Sequence, residues 1–295
     1  MTNKTIYALG FFDGVHLGHQ ALLSRCRELA RQHDCRSGVV TFLGHPDEVV
    51  TGKKMSLINT AQDRRRLLTQ YGMETAVELT FDENLMKLSW QDFYQKLRTE
   101  YHAAGLVCGE DFRFGFRGQG NAELLKQACA ADGIPCSVIP QQTLDGITVS
   151  STHIRSLLEQ GRIEEAEQFL GHRHIFTGIV VKGQQLGRRL GTPTANLSLP
   201  EELLCLPFGV YICRAKGEGI DCPAVTNIGT RPTVEGETVT VEPWLLDYEG
   251  DLYGKELTLE FYRYLRPERK FPSLAELQEE ILKNGEQTRK FFEKP

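Results

Sequence analysis

His16 and His19 stand three residues apart in "LGFFDGVHLGHQALL", the stretch from Leu9 to Leu23. At that spacing they share one face of a first helical turn. Such a turn has free N–H groups and the positive end of the helix dipole, so it suits an anion such as phosphate. Imidazoles beside it can donate hydrogen bonds as negative charge builds on phosphorus, and transfer there needs only positioning and electrostatics. Gly10 and Gly14 let backbone approach a ligand closely. The pair also reads as plain surface polarity, and it is a poor zinc pair, since zinc-protease histidines sit at i, i+4 around a Glu.

A second constellation lies in "GQQLGRRLGTPTANLSLP". Thr194 and Asn196 are two residues apart, so an extended backbone puts hydroxyl and amide on one side. Both are oxygen donors of the kind Mg²⁺ takes together with phosphates. Gly183, Gly187 and Gly191 leave room for phosphate against backbone N–H groups. "TPTAN" reads equally as a proline-containing turn, and the stretch lacks the G-K-[ST] of a P-loop. "VSSTHIR", with Ser150, Ser151, Thr152 and Arg155, has the form of an ordinary Ser/Thr helix cap. "GEDFRFGFRGQG", which contains Asp111, is a Gly-rich loop whose arginines and aromatics suit a nucleotide or flavin edge.

The elements that position these residues change character along the chain. "TIYALGF", "RSGVVTFL", "ETAVELTF", "AAGLVCG" and "IPCSVIP" read as strands, with helical segments between them. Repeated strand-helix-strand units imply a parallel sheet covered by helices. The first helix puts Ala21, Leu22, Cys26, Leu29 and Ala30 on one side. "SSTHIRSLLEQGRIEEAEQFLG" reads as two short helices. From "IFTGIVVKG" onward, short strands separated by Gly and Pro suggest an antiparallel barrel or sandwich. The final segment opens with Ser273 and Glu276 at capping-box spacing and has Leu274, Leu277 and Ile281 as its apolar stripe, so a helix laid on the barrel is expected. We expect two domains, residues 1–172 and 173–295.

Composition limits the partners. A net charge of −5 over 295 residues argues against a general nucleic-acid binder. Eight cysteines at irregular spacings, without a C-x-x-C pair, fit a reducing compartment and give poor support for a zinc site. Neither a signal peptide nor an apolar run of about 20 residues is evident. A cytoplasmic location with no membrane partner is expected; oligomeric state is not legible.

The string G-F-F-D-G-V-H-L-G-H, between strand and helix, resembles the H-x-G-H signature of the adenylyl- and cytidylyltransferase superfamily. Over essentially its whole length the chain resembles the prokaryotic bifunctional riboflavin kinase/FMN adenylyltransferase (FAD synthetase) family, through Gly10 to His19, Gly109 to Gly115, Ser150 to Arg155 and the "GTPTAN" element. The resemblance implies an α/β fold class: a Rossmann-like nucleotidyltransferase domain, then a riboflavin kinase-like antiparallel β-barrel with a terminal helix. It implies ATP-dependent phosphorylation of riboflavin to FMN in the second half. Adenylylation of FMN to FAD, releasing pyrophosphate, falls to the first. ATP, Mg²⁺ and the flavins are the partners. The resemblance further implies that His16 and His19 act on the α-phosphate. Gly10, Phe12, Asp13, Gly14, Asp111, Ser151, Thr152 and Arg155 join them in binding ATP, as do Gly183, Gly187, Gly191 and Thr194 in the barrel. Thr194 and Asn196 meet Mg²⁺; Phe42, His45, Pro46 and Trp244 meet flavin; Glu242 in "TVTVEPWLLDY" is the catalytic base of the kinase. On alternation, Glu242 shares a face with Thr240 and Trp244, a position equally open to a solvated strand residue.

The chain departs from the family's pattern at Phe11, at "FLGHP" (one proline fewer), at Pro243 and Trp244 after the base, and at Thr192 where a Phe is common. "DLYGKEL" and "LRPERKFPSLAEL" read as structural. Arg64, Arg65 and Arg66 read as a solvated charged face. His172 and His174 receive no role. Two other readings stay open: an adenylyltransferase with a different acceptor, and a catalytically silent flavin-binding protein.

Overall fold

The computed structural model describes residues 4–45, 48, 51–183, 191–233 and 236–293, so Pro46 and Gly187 lie outside the described residues. Two compact units emerge, residues 1–57 with 61–153 and residues 58–60 with 154–295.

The first unit is built on five strands: β1 (Thr5–Leu9), β2 (Arg36–Phe42), β3 (Thr75–Leu79), β4 (Ala103–Gly109) and β5 (Cys136–Ile139). All pair in parallel, in the order β3-β2-β1-β4-β5. Between them run α1 (Leu17–Gln32), α2 (Ala61–Gln70), α3 (Trp90–Thr99) and α4 (Ala122–Ala131). This is the Rossmann-like arrangement. β1 is buried along its whole length, as a strand covered on both faces must be. Leu97, Leu106, Cys108 and Leu125 are fully buried in one core cluster; burying each such Leu stabilises the fold by about 1.5–3 kcal/mol. The buried stripe of α1 is Leu22, Leu23, Cys26, Leu29 and Ala30. Ala21, expected there, is half-buried at its edge. The Cys26 thiol donates to the Ile6 carbonyl at 3.2 Å, which ties α1 to β1. β1 has β2 on one side and β4 on the other, so the order reverses there. Ligands of such sheets bind beyond the strands' carboxyl ends at that reversal.

The three arginines of α2 are not one solvated face. Arg65 is exposed, but Arg64 is only 1 % exposed. Leu67 and Leu68 are buried, and Arg64 precedes them by three and four residues, so helical phase turns it inward with them.

The second unit begins within helix α5 (Ser151–Glu159), continues through α6 (Ile163–Leu170) and then forms a nearly closed antiparallel barrel. Its strands are β6 (His174–Ile179), β7 (Leu197–Ser198), β8 (Gly209–Gly217), β9 (Ile220–Thr233), β10 (Gly236–Leu245) and β11 (Glu256–Pro267). Their order is β6-β11-β8-β9-β10-β7, and Val181 N–H donating to the Asn196 carbonyl at 2.9 Å brings the two ends together. α6 buries Ile163, Ala166, Phe169 and Leu170, and Arg263 of β11 donates to Glu164 at 2.6 Å.

The last helix, α7 (Leu274–Glu293), starts at Ser273, whose hydroxyl accepts from Glu276 N–H at 3.2 Å. Leu277 and Ile281 of the expected stripe are half-buried on the barrel side, but Leu274 is not. Leu274 is 56 % exposed, and the buried positions are Asn284, Gly285 and Thr288. The reason is steric: a Cβ at Gly285 would meet a Trp244 ring carbon at 2.7 Å, so only glycine lets helix and ring approach this closely. Among the described residues no helix is long and apolar enough to cross a membrane.

Candidate functional site

Between β1 and α1 the chain makes a turn in which Phe12, Gly14 and Val15 all have positive φ, at 61°, 79° and 39°. Non-glycine residues held there cost on the order of 1–3 kcal/mol each. Phe12 persists because its ring is fully buried, beneath Gly10 and edge-on to His19 at 5.1 Å. The turn delivers His16 as the N-cap of α1, its Nδ1 accepting from His19 N–H at 3.3 Å. The two imidazoles stack with centroids 3.7 Å apart. Burial holds the His19 imidazole well below the usual histidine range, reinforced by the charges of His16 and Arg64. His19 is therefore neutral near pH 7, and its Nδ1 is buried with no hydrogen-bond partner among the described residues.

These histidines line a cavity of about 330 Å³ with Gly10, Gly109, Asp111, Ser151 and Thr152. Its walls come from the ends of β1, β4 and β5 and the starts of α1 and α5, so two helix N-termini share one cleft. Ser150 caps α5, its hydroxyl accepting from His153 N–H at 3.2 Å. Ser151 donates to the Asp13 carbonyl at 2.8 Å, which couples α5 to the histidine turn. Gln141 donates to Asp111 at 3.3 Å. Phe12, Asp13 and Gly14 are buried and lie behind the cavity wall rather than in it. Arg155 follows one helical turn after Ser151 on α5, outside the lining. Phe42 and His45 are not in the lining either: the Phe42 ring meets Phe81 at 5.4 Å and the His45 ring meets Phe11 at 4.7 Å.

The barrel carries two further cavities. One, of about 350 Å³, is lined by Glu242 and Trp244 of β10, Thr192, Thr194, Asn227 of β9, Leu277, Ile281 and Asn284 of α7, and Arg266, Glu268, Arg269 and Phe271. Thr240 donates to Glu242 Oε1 at 3.2 Å, in keeping with their shared face. The segment "LRPERKFPSLAEL", read from sequence as structural, docks the last helix on the barrel and also lines this cavity. Arg266, Glu268, Arg269 and Phe271 form a cavity wall, because Arg266 donates to Asn284 at 3.0 and 3.1 Å and pairs with Glu280 at 3.3 Å. Asn227 donates to Glu268 at 3.1 Å. The other cavity, of about 660 Å³, is lined by Val180, Pro193, Thr194, Ala195, Leu245 and the run Tyr248 to Tyr253. Part of "DLYGKEL" thus faces a cavity as well. Thr194 belongs to both cavities, and its backbone bridges to Trp244.

Gly183 stands against Asn196: a Cβ there would collide with the Asn196 amide. Gly191 has φ 74°. Thr192 is buried, and its hydroxyl lacks a hydrogen-bond partner among the described residues. Among the described residues no three His, Cys, Asp or Glu side chains are grouped to hold a metal ion.

Residues 1–153 match the FAD synthetase family, and residues 170–292 match the riboflavin kinase family. The bifunctional riboflavin kinase/FMN adenylyltransferase of Listeria monocytogenes is 32 % identical over 98 % of this chain and 93 % of its own length. That of Pseudomonas fluorescens is 37 % identical over 94 % of this chain and 89 % of its own. A crystal structure named as a macrolide-efflux protein from Streptococcus pneumoniae is 28 % identical, covers 98 % of this chain and 95 % of its own, and superposes with a TM-score of 0.87.

Proposed function

Because this chain belongs to the bifunctional riboflavin kinase/FMN adenylyltransferase family, we infer that its two units perform two successive phosphorus transfers. Riboflavin and ATP give FMN and ADP in the barrel. FMN and a second ATP give FAD and pyrophosphate in the Rossmann-like unit. The observation that supports this most is that the motif residues of each half converge on cavities of their own: His16, His19, Ser151 and Thr152 on one, Glu242, Trp244 and Thr194 on another.

In the barrel, the cavity with Trp244 takes the flavin, whose flat ring suits an aromatic wall. The larger cavity beyond Thr194 takes the nucleotide. Their junction at Thr194 is where the γ-phosphate meets the ribityl 5′-hydroxyl. Glu242 accepts that hydroxyl's proton as its oxygen attacks phosphorus and ADP leaves. Thr194 and Asn196 fit Mg²⁺ as neutral oxygen donors, with phosphates completing the set, and the glycine at 183 leaves Asn196 the space it needs. The ion, when bound, offsets phosphate charge.

In the first unit, an FMN phosphate oxygen attacks the α-phosphorus of ATP and pyrophosphate leaves. His16 and His19 donate N–H to the α-phosphate oxygens, where charge develops. Ser151, Thr152 and Arg155 hold the β- and γ-phosphates from the start of α5, with Gly10, Asp111 and the Phe12–Gly14 turn framing the nucleotide. Phe42 and His45 stand on the β2 side of the turn, the side we assign to flavin. The functional division falls at 172/173, with Arg155 serving the first reaction. All eight cysteines are free thiols, as suits a reducing compartment, which supports a cytoplasmic location. The test is incubation of purified protein with riboflavin, ATP and Mg²⁺, followed by separation of the flavins. FMN and then FAD are expected; bound flavin without product would favour a silent binding protein, and another accepted acceptor in place of FMN would favour a different adenylyltransferase.

A further inference from the structure

Arg64 has donors inside the first unit that the fold leaves unmatched, although the carboxylates of Asp13 and Glu78 favour its charge. It is only 1 % exposed. Its Nη2 donates to the Phe42 carbonyl at 2.6 Å, at the end of β2. The guanidinium lies over the Phe11 ring, 4.5 Å from the centroid. Its other two nitrogens, Nε and Nη1, are buried with no hydrogen-bond partner among the described residues. A guanidinium has five N–H donors in a fixed fork, and buried donors left unmatched are costly and rare. The unmatched N–H groups of the fork suit the oxygens of a phosphate or carboxylate.

Its neighbours say which anion. Arg64 rests on the strained turn that presents His16, and its charge is felt at both Asp13 and His19. The ATP-facing cavity opens on the β4 and β5 side of that turn, and Arg64 is not part of its lining. Arg64 sits instead on the β2 side, with Phe42 and with Phe11, whose ring meets His45. We propose that Arg64 binds the phosphate of the flavin acceptor in the adenylylation site, so that FMN is accepted there and unphosphorylated riboflavin is not. The planar fork matches two phosphate oxygens at once, which an ammonium does not. Phe11 keeps the fork in plane by cation–π contact. This rests on the adenylyl-transfer reading of the first unit and adds to it the group that recognises the acceptor.

The test is steady-state FAD formation from FMN by full-length wild type, Arg64→Lys and Arg64→Gln, with Arg65→Gln as the exposed control. KM for FMN and KM for ATP are determined separately, and thermal unfolding checks the fold of each variant. Arg64→Gln is expected to raise KM for FMN roughly 10- to 100-fold while KM for ATP stays within about twofold, since a lost charged contact has that size. Arg64→Lys falls between, and Arg65→Gln matches wild type. Unchanged KM for FMN in a folded Arg64→Gln overturns the proposal, as does a loss confined to KM for ATP, which would assign Arg64 to the triphosphate. Should Arg64→Gln fail to fold, Arg64→Lys decides alone: wild-type KM for FMN there overturns the bidentate contact. Absence of FAD formation by wild type itself refutes the adenylyl-transfer reading and this proposal with it, and is distinguished by being seen before any substitution.

Discussion

On the proposed assignment, Glu242 serves the kinase reaction and the two histidines serve adenylyl transfer, so substitutions should separate the two chemistries. Glu242→Gln keeps the shape and the Thr240 contact but removes the proton acceptor. Riboflavin phosphorylation should fall roughly 10²- to 10⁴-fold with FAD formation from supplied FMN retained, as flavin chromatography from each substrate would read. His16→Ala and His19→Ala should do the reverse. The buried His19 adds a pH expectation. Its imidazole is held below the usual range, so the neutral, N–H-donating form is already present at neutral pH. FAD formation should therefore show no decline with a midpoint near about pH 6.5, the ordinary histidine value, as pH rises; a decline there would contradict a neutral His19. The shared face of the two histidines was legible from their spacing, whereas Glu242 was singled out only through the resemblance of its strand to the kinase module. Arg64 was masked by its neighbours: in a run of three arginines nothing in composition distinguishes the one that points inward. The signal lay in phase, since Arg64 precedes buried Leu67 and Leu68 by three and four positions.

Whole elements depend on single close approaches. Gly285→Ala should improve helix propensity by up to about 1 kcal/mol. It also sets a Cβ 2.7 Å from the Trp244 ring, and such overpacking costs about 1–3 kcal/mol. The expected net result is a lower melting temperature and a raised KM for riboflavin, because Trp244 and α7 share a cavity wall. The barrel also carries a buried titrating group. His174 of β6 is 3 % exposed, with Nδ1 unpartnered among the described residues. Burial pushes it down to about 3, with help from His172. The unfolded chain binds this proton near pH 6.5 and the folded barrel does not, so stability is full above that value and falls as pH drops toward about 3. Between about pH 7.5 and about pH 5 the loss should be about 2 kcal/mol. Urea unfolding at both pH values should show that loss diminished in His174→Gln; an equal loss would place it elsewhere. The strands and α1 were readable from periodicity. The stripe of α7 was not, because its contact is made by a glycine and an asparagine, which hydrophobic periodicity does not count. Leu277 and Ile281 were correctly on it, and Asn284 and Thr288 continue the same face.

At the scale of the molecule, the compact units of the fold and the proposed functional boundary at 172/173 do not coincide. The change from alternating strand and helix to closely spaced strands was visible in the sequence, and it led to a division at 172/173. The fold's own division falls after His153. The difference arises because α6 buries Ile163, Phe169 and Leu170 and ties Glu164 to Arg263, a long-range packing choice that local pattern does not encode. A fragment of residues 154–295 should consequently be more stable than one of residues 173–295, compared by thermal unfolding; equal stability would show that α6 contributes nothing to the barrel. The central claim is that one chain holds two independent phosphorus-transfer sites. The most direct measurement follows flavin products from full-length Glu242→Gln and His19→Ala with ATP and Mg²⁺, starting once from riboflavin and once from FMN. The account predicts that Glu242→Gln makes FAD from FMN but almost no FMN from riboflavin, while His19→Ala turns riboflavin into FMN and stops there. Loss of both reactions in either folded variant, or loss of neither, would contradict it.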